Sequence, residues 1–252
     1  MQRVIIASLH MLRALLFADP LIALDTLIMG TLSMIASIFD GRGFTQHHIA
    51  RVWARIILWV SGLHVEVEGL EKLDSGGSYV LVSNHLSLTD TPVIMANLPL
   101  QFRFFAKKGL FRIPFLGGHL RRAGHMEVVF DDPRAGFKTL AHAARMIASH
   151  GISMLVFPEG GRSETGVLRE FKAGAAYLAI KAGVPAVPIG IQGTRECLPM
   201  GSVIVRPGRV KLTVGDPIPT SGMRPHDHGR LNAELWRRIA ALTGQSTPVQ
   251  CK

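Results

Sequence analysis

Two long apolar stretches open the chain, residues 4–17 (VIIASLHMLRALLF) and 20–39 (PLIALDTLIMGTLSMIASIF). Both are long enough for helices, and the Asp19-Pro20 pair between them favours a turn or a helix start, so the pattern predicts two helical arms. Residues 47–60 (HHIARVWARIILWV) place Val52, Ile56, Trp59 and Val60 on one helical face beside Arg51 and Arg55, which suits a helix lying at a membrane boundary. From residue 64 onward short apolar runs alternate with 3.6-period stretches. Strands are expected near 64–68, 78–83, 102–106, 125–130, 152–157, 186–191, 203–206 and 209–214, and helices near 91–97, 134–149, 172–182 and 228–242. Such alternation predicts an α/β fold, a mixed and mostly parallel sheet flanked by helices, preceded by an N-terminal membrane-associated two-helix motif.

The boundaries that follow are a helical anchor over 1–60, an α/β domain over 61–244, and a polar tail over 245–252. Asp25 interrupts the second apolar stretch, and arginines flank it on both sides (Arg3 and Arg13 before, Arg42, Arg51 and Arg55 after). A charge bias on both sides fits a re-entrant or in-plane seat with both ends cytosolic better than a crossing. His10 and Arg13 interrupt the first stretch and no small-residue cleavage site follows it, which argues against a signal peptide.

Composition narrows the partners. The chain of 252 residues is 48% hydrophobic and 18% charged, with a formal net charge of +10. An anionic partner follows: lipid headgroups, phosphate esters or nucleic acid. Basic residues are spread along the chain and only two tyrosines occur, so no base-stacking platform stands out. Cys197 and Cys251 lie far apart without metal spacing, and His226-Asp227-His228 and His47-His48 read as loop and helix residues, so no metal site is expected.

Candidate chemistry sits where strands end. In LVSNHLSLTD (81–90) His85 and Asp90 are five apart, about 140° around a continuous helix, so they can meet only across a bend. Ser83-Asn84 ends the strand and Pro92 suits a first helical turn, which supplies that bend. Asp90 would then fix the tautomer of His85 and leave the other ring nitrogen to accept a proton, two thirds of a hydrolase triad without its nucleophile. A substrate hydroxyl can take the missing place. Downstream, FFAKKGLFRIPFLGG (104–118) clusters Lys107, Lys108 and Arg112, a set suited to phosphate. In VFPEGGRSETG (156–166) Gly160 and Gly161 allow backbone amides to approach a ligand, Arg162 offers a bidentate fork, and Glu159 can orient that arginine or a ligand hydroxyl. VPAVPIGIQGT (184–194) reads as a buried strand.

In this order the four stretches resemble the glycerolipid acyltransferase family, in particular its bacterial 1-acyl-glycerol-3-phosphate acyltransferases, over about residues 60–218. The resemblance implies His85 as base and Asp90 as its partner. It implies that Lys107, Lys108, Arg112 and Arg162 hold a lysophospholipid phosphate, with Glu159 and Gly160 shaping the pocket. The expected reaction moves an acyl group from acyl-CoA or an acyl carrier protein to the sn-2 hydroxyl of 1-acyl-glycerol-3-phosphate, giving phosphatidic acid. No cofactor is expected beyond that acyl co-substrate, and no nucleic acid. The expected location is the cytoplasmic membrane, with the catalytic domain on its cytoplasmic face. Gly161 stands where the family commonly has threonine, and Asp131-Asp132-Pro133-Arg134 is more acidic than expected, which leaves another lyso-lipid or glycerol-3-phosphate as alternative acceptors. Readings from other classes are a lipid thioester hydrolase using water or a serine such as Ser87, weakened by the lack of a GxSxG elbow, and a non-enzymatic basic membrane binder.

Overall fold

The computed structural model describes residues 2–128 and 133–245. Asp131, Asp132, the end of the strand expected near 125–130, and the tail with Cys251 lie outside the described residues.

The first helices are α1 (Gln2–Arg13), α2 (Asp19–Ala36) and α3 (Phe44–Ser61). The two expected arms are one helix: α1 passes through a π turn at Ala14–Ala18 straight into α2, so that Ser8–Ala36 runs unbroken for 29 residues. The Asp19 amide bonds back to the Ala14 carbonyl, five residues away. Pro20 therefore sits where the usual helical ladder has already been relaxed, and its missing N–H does not break the rod. The hairpin forms one element later, as α3 returns antiparallel along α2. Arg13 donates to the carbonyls of Val60 and Ser61 at the C-terminus of α3, where orphan carbonyls and the helix dipole both favour a cation. Trp53 Nε1 donates to Thr26 Oγ1 at 3.1 Å across the same pair.

The remaining chain alternates as expected through β1 (Leu63–Glu68), β2 (Val80–Ser83), α4 (Asp90–Asn97), β3 (Phe102–Lys107), α5 (Leu116–Arg122), β4 (Met126–Val128), α6 (Pro133–His150), β5 (Ser153–Val156), α7 (Gly174–Ala182), β6 (Ala186–Gln192), α8 (Thr194–Cys197), β7 (Gly208–Val214) and α9 (His228–Leu242). Among the described residues seven strands form one sheet in the order β1-β7-β6-β2-β5-β3-β4, parallel throughout except for β6 against β7. β2 is buried at all four positions, as expected of a strand covered on both faces. β1 alternates between less and more exposed positions, which suits its place at the edge.

Leu81, Leu155, Val187 and Ile189 pack against α3 and α4 on one face of the sheet. On the other face Val80, Val82 and Met154 pack against Ala143, Leu178 and Leu235 of α6, α7 and α9. The strand expected at 203–206 is irregular chain. Pro207 cannot donate to a ladder, and β7 starts only after it, at Gly208.

Candidate active site

Because β6, β2, β5, β3 and β4 are mutually parallel, their C-terminal ends share one edge of the sheet, the usual place for a ligand in an open α/β fold. That edge carries His85 after β2, Phe157–Ser163 after β5, Lys107–Arg112 at and after β3, and Gly193–Arg195 after β6.

The bend after β2 is built by Asn84. Its buried side-chain amide donates to the Ile191 carbonyl at 2.9 Å and accepts from the Ile191 amide at 2.8 Å, doing for β6 what a peptide group would do. The backbone is thereby free to turn. His85 Nδ1 lies 2.7 Å from Asp90 Oδ2. The same oxygen accepts the backbone amides of Leu86 at 2.7 Å and Ser87 at 2.8 Å. Asp90 is fully buried. An ionised carboxylate only accepts, so Nδ1 carries the imidazole proton and Nε2 presents a lone pair. The ring stacks on Phe157 with centroids 4.1 Å apart, and the side chain is 19% exposed. Ser87 is buried and donates its hydroxyl to the Leu198 carbonyl at 2.9 Å, which leaves it unsuited to act as a nucleophile.

Glu159 lies beneath the site. It is 3% exposed, and its two oxygens accept the His85 amide at 2.7 Å and the Arg169 amide at 3.0 Å. Burial raises its pKa, and the hydrogen bonds from those two amides oppose the rise. Its carboxylate is thus engaged in joining the β2 and β5 loops rather than in steering Arg162. Replacing Glu159 with glutamine turns an amide NH₂ toward one of two buried N–H donors. The expected loss is about 1–3 kcal/mol of stability together with a drop in turnover, read from thermal melts and initial rates on the same preparation. A variant as stable as the parent would remove this role.

Gly160 has a φ of 72°, and a Cβ there would come within 2.9 Å of Lys172 Cε and Nζ. Gly161 has no such constraint: its Cβ would meet only Arg169 Nη1, at 3.6 Å, so there is room for the side chain whose absence marks this motif. The loop is further tied by the Ser163 amide to the His85 carbonyl at 2.8 Å, and by Arg195, whose Nε and Nη2 both reach the Glu164 carbonyl at 3.0 and 2.7 Å.

Of the basic candidates, Arg162 is half-buried and Lys107 and Arg112 are exposed, and among the described residues none of their side chains makes a hydrogen bond or ion pair. The β2–β5 and β3–β5 ladders end at Val82↔Val156 and Phe104↔Leu155, so the strands that lead to Asn84 and Lys107 lie two apart, about 10 Å at the usual spacing. Lys108 turns away to Glu127, 3.6 Å distant. Arg195 and Lys172 lack motif spacing and come to this edge only through the sheet, and the pairing of the Asn84 side chain with β6 has no signal in the sequence beyond the strand end at Ser83-Asn84.

A small apolar cavity of about 80 Å³ opens between α2 and α3 on one side and α4, α5 and β3 on the other. Trp53, Met29, Met95, Phe104 and Thr91 line it, and Thr91 adjoins Asp90 in sequence.

Residues 64–192 match the family model described as Acyltransferase. A chloroplastic 1-acyl-sn-glycerol-3-phosphate acyltransferase of Arabidopsis thaliana is 37% identical over 175 residues, covering 69% of this chain and 48% of that protein. A 1-acyl-sn-glycerol-3-phosphate acyltransferase of Pseudomonas aeruginosa is 27% identical over 91% of this chain and 90% of its own length. The chain spans about half the length of the plant relatives it matches. Among solved structures, the 1-acyl-sn-glycerophosphate acyltransferase of Thermotoga maritima superposes with a TM-score of 0.79 at 21% identity, over 100% of both chains, and shares the fold.

Proposed function

Because the chain belongs to the acyltransferase family, we propose that it moves an acyl group from a thioester, acyl-CoA or an acyl carrier protein, to the free hydroxyl of 1-acyl-glycerol-3-phosphate. The observation that carries this reading is the 2.7 Å pair of His85 and a fully buried Asp90, with the nearby Ser87 hydroxyl engaged by the Leu198 carbonyl. His85 Nε2 removes the hydroxyl proton as the oxygen attacks the thioester carbonyl. Asp90 stabilises the imidazolium, the tetrahedral adduct collapses, the carbon–sulfur bond breaks, and the imidazolium proton passes to the departing sulfur. The buried state of Ser87 supports transfer to a lipid alcohol over hydrolysis through a serine.

We assign the acceptor phosphate to Arg162, Lys107 and Arg112, with Lys108, turned toward Glu127, acting at longer range. The apolar lining of the cavity beside Thr91 suits contact with part of an acyl chain. The Ser8–Ala36 helix seats the enzyme in one leaflet. It packs along α3 and α5 on one side and exposes Leu15, Leu16, Phe17, Leu24, Leu27 and Ile35 on the other. A crossing helix would draw the charged domain behind α3 into hydrocarbon, which favours an in-plane seat with the domain on the cytoplasmic face.

The test is an acceptor panel: lysophosphatidate, glycerol-3-phosphate, lysophosphatidylcholine and monoacylglycerol, with acylated lipid and free fatty acid both quantified. Lysophosphatidate is expected to give the highest kcat/KM, and a majority of free acid would overturn the reading. Arg162→Ala is expected to raise the Michaelis constant for lysophosphatidate by roughly 10- to 100-fold with little change in turnover, the loss of one charge-assisted contact. With monoacylglycerol, which has no phosphate, the variant should match the parent. An equal penalty on both acceptors would take Arg162 out of phosphate binding.

A further inference from the structure

We propose that Lys108–Phe115 is a second membrane-docking element, which seats the sheet edge on an anionic bilayer beside the long N-terminal helix. This rests on the interfacial seat argued above for Ser8–Ala36.

The segment runs from the 3-10 turn Lys108–Arg112 to Phe115, directly before α5. It sorts its apolar side chains in an unusual way. Phe111 turns inward and is 7% exposed, yet Leu110, Ile113 and Phe115 are 38%, 46% and 47% exposed. The backbone that presents them is held from several sides. Arg121 Nη1 donates to the Phe111 carbonyl at 2.6 Å, and the Gly117 amide donates to the Ile113 carbonyl at 2.8 Å. Gly117 is required for that approach, since a Cβ there would lie 2.1 Å from the Phe111 oxygen. Phe115 adopts a φ of 62°, a conformation that side chains other than glycine rarely take. A rigid loop that buries one aromatic ring and presents three neighbouring apolar groups outward needs an apolar phase for those groups.

Two observations identify that phase as lipid. The first is continuity: a Cβ on Gly30 of α2 would come within 3.7 Å of Phe115 Cβ, and one on Gly118 within 3.4 Å of Met34 Sδ. The loop therefore lies against the flank of the helix whose outer face exposes Leu27, Ile28, Leu32 and Ile35, making one apolar surface. The second is charge. Exposed Lys107, Lys108 and Arg112 lie in or directly beside the segment that carries the three apolar groups, the arrangement of an interfacial anchor with basic side chains at phosphate level. Such a seat opens the His85 edge at the depth where a lysophospholipid headgroup resides.

The experiment uses the full chain in a Cys251→Ser background, since Cys197 is buried. An environment-sensitive fluorophore is attached at Ile113→Cys or, as the aqueous control, at Ser149→Cys, an exposed position of α6 on the opposite face of the sheet. On phosphatidylglycerol vesicles carrying spin-labelled lipid, the label at position 113 should blue-shift and be quenched at least about twofold, and less on phosphatidylcholine alone. The label at 149 should not change. A label at 113 that remains aqueous on sedimented, vesicle-bound protein overturns the proposal. In parallel, Leu110→Ser with Ile113→Ser should raise the Michaelis constant for vesicle-borne acceptor about tenfold and leave a monomeric short-chain acceptor unaffected. An equal loss on both acceptors also overturns it. The labelling readout does not depend on turnover, so an inactive protein with a lipid-embedded loop would refute the acyltransferase reading and leave the docking element standing.

Discussion

Replacing His85 with alanine is expected to lower acyl transfer about 10³- to 10⁴-fold while leaving the protein folded. The upper part of the range for general-base help applies because no other described side chain is placed to relieve the hydroxyl of its proton. The ring is partly exposed and its main packing contact is Phe157, so its loss should cost little stability beside the five-strand parallel core around it. Asp90→Asn is the informative companion. Three donors converge on Oδ2, so asparagine keeps the bend by placing its oxygen there and its NH₂ at the position of Oδ1. The tautomer of His85 then survives and only the negative charge is lost. That separates orientation from electrostatics: the expected loss is about 10²-fold, smaller than for His85→Ala, and its size reports how much the buried carboxylate stabilises the imidazolium. Initial rates at saturating acceptor and donor give both numbers. A His85→Ala protein within tenfold of the parent would end the proposal that this imidazole is the base.

The features that could be read in the sequence are those that depend on periodicity along the chain. Solid apolar runs predict the covered strands β2, β5 and β6, and each candidate motif directly follows a strand, so parallel pairing alone brings the motifs to one edge. Helix α5 escaped notice because LGGHLRR carries two glycines, which lower helix propensity, and one of them serves a close approach to Phe111 instead. The Asp19-Pro20 pair suggested a break because proline ends regular helices, whereas a π turn places it where no ladder bond is lost. Glu159 drew attention as a group near a ligand because carboxylates are usually exposed. Its actual partners, the amides of His85 and Arg169, are backbone groups that no side-chain pattern announces. The same limit hides the seam beneath the N-terminal hairpin. Nothing in the spacing of Arg103, His47, His119 and His125 shows that they meet, and their meeting controls how the protein responds to acid.

That seam should make the protein acid-labile between about pH 6.5 and 4. Arg103 is fully buried, its guanidinium donating to the Phe102 and Arg42 carbonyls at 3.0 Å each. Around it His47 reaches the Leu100 carbonyl, His119 meets Ser33 of α2 at 2.6 Å, and His125 Nδ1 accepts the Phe104 amide. Burial, then the Arg103 charge, pushes His47 down to about 3 and His119 to about 4; burial, His119 and Arg103 hold His125 well below its ordinary 6.5. The unfolded chain takes up these protons near pH 6.5 and the folded chain refuses them. Stability is therefore complete above that value and falls as the pH drops toward the folded pKa values. Each imidazole costs about 1.4 kcal/mol per pH unit in this window, hence about 2 kcal/mol at pH 5, and the three together about 4–6 kcal/mol once their mutual coupling is discounted. For a domain of this size the melting temperature should fall by roughly 10–20 °C between pH 7.5 and pH 5. His125→Asn, similar in shape but without a titrating ring, should remove about a third of that acid loss. Equal melting temperatures at the two pH values, or an undiminished loss in the variant, would mean that these rings are protonated or hydrated in the folded protein. The hairpin and the acyl cavity beneath it would then not be held by neutral histidines around a buried cation.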